Sequence, residues 1–411
     1  MSARTLLTGM GVIAPTGTSA EQHWAATVAG QTGISECSEY RTAGYQSTLR
    51  GKVPDFVPQN WLPPRLVAQT DRWTQLGLAA ATDALEDAAL LPAQVPPYEI
   101  GVITGSSSGG NEFGQHEIQR LWSSDDGHIS AYQSIAWFYA ATTGQVSIRF
   151  GAKGASSVLV SEQAAGLDAL GQSRSALRTG MRAVLSGGVE APLSPFAHAC
   201  QQATGLLSTA QDPCGCYRPF DAAAAGYVPG EGGAMFVVER EDSWLERDGR
   251  QALGEILGYA ATFDPPPGQG RPAGLARAIE LALADAEVPP ARVDAVFADG
   301  AGLAELDAAE ATAIAEVFGP HGVPVTAPKS LTGRLYAGGA ALDVATALLS
   351  MRSGLIPPTT GTTAVPAEYQ IDLVTSSGRQ ARVDVALILA RGYGGFNSVL
   401  VLGKSGTEKT K

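Results

Sequence analysis

The chain has 411 residues, a formal net charge of −12, 45% hydrophobic and 17% charged residues, and 49 glycines. That length buries a large core as one big domain or two fused ones, and the acidic balance excludes a general nucleic-acid or anionic-membrane binder, which needs a basic surface. No apolar run approaches the ~20 residues that span a bilayer, and four cysteines are too few for a disulfide scaffold of this size.

Met1-Ser2-Ala3-Arg4-Thr5 carries no charged-then-apolar signal, so a cytoplasmic chain with reduced cysteines is expected. Leu6 to Ile13 alternates apolar residues with glycine and predicts a strand, turning at Ala14-Pro15-Thr16-Gly17. A helix follows from an N-cap at Ser19, and a second spans Asp71 to Leu90, ending before Pro92. Tyr98 to Thr104 reads as a buried strand leading into Gly105-Ser106-Ser107-Ser108-Gly109-Gly110. Asn111 to Trp122 and Tyr132 to Thr143 both have helical patterns. Ser157 to Val160 is a short β-branched run stopped by polar residues, after which Leu167, Leu170 and Leu177 mark one side of a helix. Arg182 to Leu185 predicts a core strand that ends at Ser186-Gly187-Gly188. A long loop from Arg218 to Gly233 feeds a strand over Ala234 to Glu239. Just before it, Cys214-Gly215-Cys216 lacks the second Cys or His pair of a metal site, so no metal and no cofactor are expected.

A strand-like run from Ala252 to Phe263 opens a second half with the same order of elements. It comprises a helix at Gly274 to Ala286, a strand at Ala295 to Phe297, a helix at Glu305 to Phe318 and a loop at Thr326 to Arg334. A helix at Gly338 to Arg352 and strands at Val383 to Ala390 and Ser398 to Leu402 close it. Alternating strands and helices predict an α/β fold on a mostly parallel sheet. We divide it into halves at 1–250 and 251–403, read Pro265-Pro266-Pro267-Gly268 as a loop, and expect a disordered tail over 404–411.

The pattern strand, sharp turn, helix at Ser157 to Leu177 lifts one side chain above a sheet's end and onto a helix N-terminus, where backbone N–H groups favour developing negative charge. The lifted residue is Gln163, whose amide is no nucleophile. With Glu162-Gln163-Ala164 and Gly166-Leu167-Asp168, the segment resembles the nucleophile turn of the β-ketoacyl synthases, with glutamine in place of cysteine. It is most similar to the chain length factor, or ketosynthase β subunit, of bacterial type II polyketide synthases. The likeness runs from Thr8-Gly9-Met10-Gly11-Val12 to Gly394-Gly395-Phe396-Asn397-Ser398. It implies a thiolase-like fold of two similar halves in five αβαβα layers.

A decarboxylating Claisen condensation needs a thiolate to carry the acyl chain, donors for the thioester oxyanion, and imidazoles that assist decarboxylation. By the resemblance, Gln163 stands at the cysteine, Asp299 and Arg334 at the two histidines, and Lys329 alone matches the family's lysine. An amide forms no thioester, an aspartate repels an enolate, and an arginine is too basic to cycle protons near neutrality. We therefore expect no condensation here, and an Asp299–Arg334 ion pair in the degenerate site.

The resemblance also implies a heterodimer with a catalytic ketosynthase α subunit, pairing across the strand before Gln163. It further implies an acyl carrier protein partner and a tunnel that measures a malonyl-derived polyketide chain. Asn111, Gly114 and Ile118 fall on one helix face and match tunnel-lining positions, as do Ile135 and Phe196. Small and medium residues there predict a deep tunnel and a long aromatic poly-β-ketone. Besides a stand-alone binding protein of thiolase fold with no synthase partner, two rivals remain at this point. One is a β subunit serving a reduced polyene synthase. The other is a serine hydrolase in which Gly105-Ser106-Ser107-Ser108-Gly109 presents Ser107 as nucleophile and His321 completes a triad.

Overall fold

A computed structural model describes residues 4–123, 127–247, 252–265 and 274–406. The division at 250/251, the loop over 266–268 and the tail beyond 406 lie outside the described residues. The first half contributes β1 (Thr5–Ile13), β2 (Ile100–Gly105), β3 (Ser156–Leu159), β4 (Ala183–Glu190) and β5 (Gly232–Arg240). The second contributes β6 (Gly254–Phe263), β7 (Ala295–Phe297), β8 (Pro324–Thr326), β9 (Asp372–Leu373), β10 (Val385–Gly392) and β11 (Phe396–Gly403).

All eleven join in the order β9-β8-β7-β10-β11-β6-β1-β5-β4-β2-β3. The halves meet where β1 and β6 pair at only two positions, Leu6 with Glu255 and Leu7 with Gly254. Outward from that seam the first half runs β1-β5-β4-β2-β3 and the second β6-β11-β10-β7-β8, which is the same sequence of chain positions. Strand senses match as well: the two pairings nearest the seam are antiparallel in each half and the next two parallel. The repeat is therefore explicit in topology although residue identity between halves is weak.

The sheet is mixed, which corrects the expectation of a mostly parallel one. β10 and β11 are joined by a hairpin turning at Gly394 and Gly395, both at positive φ, and so short a link can join only antiparallel neighbours.

The helix expected after Ser19 runs Ala20–Val28, and the helices that frame the sheet and the site are α1 (Arg72–Asp87), α2 (Asn111–Ser123), α3 (Ala141–Phe150), α4 (Ala165–Arg178), α5 (Pro195–Gln202), α6 (Leu275–Ala286), α7 (Ala304–Phe318) and α8 (Ala337–Ser353). α1 and α3 cover the outer face of the first half, α6 and α7 that of the second, and α4 and α8 pack between the halves. Five layers result. Three apolar clusters fill them: one around α4 and α8, and one under each outer helix pair. α8 is buried from Ala337 to Met351, as its alanine-, glycine- and leucine-rich sequence requires of a helix enclosed on all sides.

Two expected boundaries moved. Tyr132 to Thr143 is not one helix: a single turn at Gln133–Ala136 is followed by a bend, and α3 starts at Ala141. The bend lets the Trp137 carbonyl accept from Gly110 N at 3.1 Å. β4 does not end at Ser186 but continues through Gly187 and Gly188 to Glu190. A Cβ on Gly188 would lie 2.3 Å from the Ala337 carbonyl, so here glycine permits strand and helix to touch rather than stopping the strand.

Candidate functional site

The residues that the sequence singles out for chemistry sit at the carboxyl ends of β3, β7 and β8, the usual place for a site in α/β layers. Gln163 lies in a tight turn, Glu162–Ala164, between β3 and α4. Glu162 takes a positive φ of 55° to make that turn. The Gln163 side chain is fully buried, and neither its amide nitrogen nor its oxygen has a hydrogen-bond partner. It lies against α8, where a Cβ added to Gly339 would sit 2.5 Å from Nε2.

Asp299 follows β7. Its N–H and that of Gly300 donate to Glu310 at 2.7 and 2.8 Å, which fixes the turn. Arg334 Nη1 donates to Asp299 Oδ2 at 3.1 Å, and the N–H of Arg391 donates to Oδ1 at 3.1 Å. Arg334 Nη2 donates to the Arg391 carbonyl at 2.6 Å and stands 3.7 Å from Glu162. The guanidinium also lies 5.7 Å over the Tyr227 ring. Burial alone would lower the Arg334 pKa, but Asp299 and Glu162 outweigh it and hold the cation above its ordinary value.

Lys329, in the turn Pro328–Leu331, is 2.7 Å from Asp343 and donates to the Ala298 carbonyl beside Asp299. Burial lifts the Asp343 carboxyl to about 6, with Lys329 opposing the shift. Asp299, Arg334 and Lys329 are thus brought together in one hydrogen-bonded cluster, while Gln163 makes no hydrogen bond to it. Sequence reasoning missed Glu162, Tyr227, Glu310, Asp343 and Arg391. Only Glu162 carried a signal, as the residue beside the turn's apex; the others come from distant segments.

A cavity of about 450 Å³ opens over this cluster, lined by Glu162, Tyr227, Asp299, Leu303, Arg334 and Arg391 among others. It offers ion-paired side chains and apolar walls. The histidines lie elsewhere. His23 is buried between Thr16 and Thr346 hydroxyls, with its pKa pushed by burial down to about 4. His198 stacks on Tyr40 and bonds the Ser47 carbonyl. His116 and His128 are exposed, on α2 and in the loop beyond it.

The Ser107 triad is not assembled. The N–H groups of Ser107 and Ser108 donate to Glu190, which holds the loop. His321 Nδ1 donates to the Ile371 carbonyl beside β9, at the opposite end of the sheet from β2 and β3.

The other group of expected site residues does share one neighbourhood. α2 packs against the Gln133–Ala136 turn and against α5. Gly114 is buried there, with Gln133 and Trp137 nearest its open side, and Phe196 N donates to Gln115 at 2.8 Å. Ile118, Ile135 and Phe196 are 54, 43 and 58% exposed, within a band that also holds Trp122, Trp137, Phe138 and Tyr139. So much uncovered aromatic and aliphatic surface marks a face that meets something.

Residues 3–243 match the β-ketoacyl synthase N-terminal domain, and residues 253–363 match the β-ketoacyl synthase C-terminal domain. The chain is 55% identical over 405 residues to the tetracenomycin polyketide synthase ketoacyl synthase beta subunit of Streptomyces glaucescens, covering 98% of this chain and 99% of that one. It is 52% identical over 397 residues to the actinorhodin polyketide putative beta-ketoacyl synthase 2 of Streptomyces coelicolor, covering 97% and 98%. Among solved structures, the ishigamide ketosynthase/chain length factor superposes with a TM-score of 0.90 at 27% identity, covering 99% of this chain and 100% of that one. A type II polyketide synthase acyl-carrier protein in complex with its ketosynthase bound to the hexaketide gives a TM-score of 0.86 at 25% identity, covering 98% and 100%. The chain belongs to the β-ketoacyl synthase family, on the branch of the ketosynthase β subunits of type II polyketide synthases.

Proposed function

We infer that this chain is a chain length factor: a cytoplasmic, non-condensing subunit that pairs with a catalytic ketosynthase α subunit and shapes the tunnel in which a polyketide grows on acyl carrier protein. The observation that carries the reading is the buried Asp299–Arg334 pair beside Gln163, where a condensing enzyme needs thiolate and imidazoles. A permanently charged, carboxylate-paired guanidinium neither takes nor gives a proton near neutrality. Gln163 has a packing role against Gly339. The edge strand β3 and the apolar band of α2 supply the face for the α subunit, and Asn111, Gly114, Ile118, Ile135 and Phe196 supply the tunnel wall. The medium and small side chains at 111, 114 and 118 leave that tunnel deep, which fits a long aromatic poly-β-ketone.

The test is co-expression with a cysteine-bearing ketosynthase and acyl carrier protein, followed by mass analysis of the released chains. Gly114→Phe fills the tunnel and is expected to shorten the product. A length distribution identical to that of the unaltered chain, at equal heterodimer abundance, refutes the reading.

A further inference from the structure

We propose that two buried carboxylates, Asp71 and Glu190, are positioning residues of α2 and so help to determine product length without touching the product. The inference rests on the tunnel reading above. Asp71 serves two helices at once. Its Oδ1 accepts from Trp73 N at 2.8 Å as the N-cap of α1, and its Oδ2 accepts from Phe113 N at 2.7 Å in the first turn of α2. Phe113 adjoins Gly114, so this bond sets both the height and the rotation of the helix face that carries Asn111, Gly114 and Ile118. Glu190 grips the segment just before. It accepts from the N–H groups of Ser107 and Ser108 and from the Ser108 hydroxyl. Gly110 then leaves no freedom on the far side: a Cβ there would lie 2.0 Å from the Ala136 carbonyl, in the turn that carries Ile135.

Both acids are buried, at 2% and 0% exposure, although β2, β4 and α1 hold together through apolar contacts that need neither of them. A carboxyl group fits these tasks because both of its oxygens are engaged, each with its own partner. An amide of the same shape offers one oxygen and turns an N–H donor against the second partner. Neither residue lines the cavity over Asp299, and neither was marked by sequence pattern, since a lone Asp before a helix reads as an ordinary cap.

The test uses Asp71→Asn and Glu190→Gln in the complete chain, co-expressed with the ketosynthase partner and acyl carrier protein. The readout is the ratio of full-length to shorter chains at matched heterodimer abundance, with the Tm of each complex measured in parallel. The ratio is expected to fall by about tenfold, the equilibrium weight of one buried hydrogen bond lost. Asp83→Asn is the control. Asp83 also lies on α1 and accepts from Trp61 Nε1 at 2.8 Å, but it does not contact α2; its loss should lower Tm and leave the ratio alone. Should an acid variant fail to assemble, Ser108→Ala removes one bond to Glu190 and is the milder probe, with the same direction expected. Ratios within twofold of the unaltered chain in these variants, while Gly114→Phe shortens the product in the same assay, overturn the positioning role alone. If Gly114→Phe is also silent, the tunnel reading falls and this inference with it.

Discussion

At Gln163 two physical rules conflict. A buried amide without partners costs free energy, of order 1–3 kcal/mol for an unsatisfied polar group. The position nevertheless holds a side chain that is fully buried and unpaired. Contact with Gly339 accounts for its fit: the helix is bare of a side chain where the amide lies. The pair is therefore coupled, and the coupling is measurable. Gly339→Ala ought to stabilise an ordinary helix interior by about 1 kcal/mol, but here the new methyl meets the amide and the sign reverses, to a loss of about 1–3 kcal/mol. In a Gln163→Ala background the collision is gone and the same substitution becomes neutral or favourable. Denaturant titration of the four complexes gives the interaction term; additive effects would show that the amide swings aside without cost. The sequence made Gln163 visible as a turn apex without a nucleophile. It did not reveal the orphaned amide, because Gly339 is remote in the chain and glycine in a helix leaves no pattern of its own.

Helices and strands were legible where one periodicity ruled, and illegible where the backbone of another segment decided. α6 and α7 lie within a residue of their expected limits: α6 has a regular apolar face, and α7 stops at Gly319, which takes a positive φ. β4 overran its expected end because glycine, ordinarily a strand breaker, serves close approach to α8 at Gly188. β3 shows what only the pairing can tell. The carbonyls of Ala155 and Leu159 accept from Val102 and Ser106 of the β2 segment. Alternation along the strand then turns the backbone of Ser157 inward and those of Ser156 and Val158 outward, at the open edge of the sheet. Val158→Pro deletes an outward N–H and spares the inner ladder, while Ser157→Pro deletes an inner one. If the α subunit adds a strand at this edge, Val158→Pro should abolish co-purification of the partner while the chain keeps its circular dichroism spectrum, and Ser157→Pro should lose both. Undiminished co-purification of the Val158→Pro chain would place the interface elsewhere.

The whole molecule buries an unusual set of acids, and their titration gives its stability a direction with pH. Burial pushes Glu190 up to about 8, Asp71 and Glu310 to about 7, and Asp307 and Asp343 to about 6. Each folded value lies above that of the unfolded chain, so the folded state holds protons that the unfolded state has released. Stability from these groups is complete below the unfolded carboxyl range and is lost as pH rises through each folded value. His23 runs the other way: burial lowers it to about 4, so its contribution is lost as pH falls below about 6.5, the ordinary histidine value. Between pH 6.5 and 8 the histidine is silent and the acids at about 7 and 8 are titrating, so the two effects separate. Over that window the unfolding free energy of the heterodimer should decline, with each still-protonated acid contributing up to about 1.4 kcal/mol per pH unit. Glu190→Gln removes the group with the highest value, and its complex should show a shallower decline above pH 7 than the unaltered one. Urea titrations at pH 6.5, 7.25 and 8 decide the matter: a midpoint that holds or rises across the series, or an equal slope in the Glu190→Gln complex, would mean that Glu190 is ionised in the folded state and that Ser107 and Ser108 stabilise its charge fully.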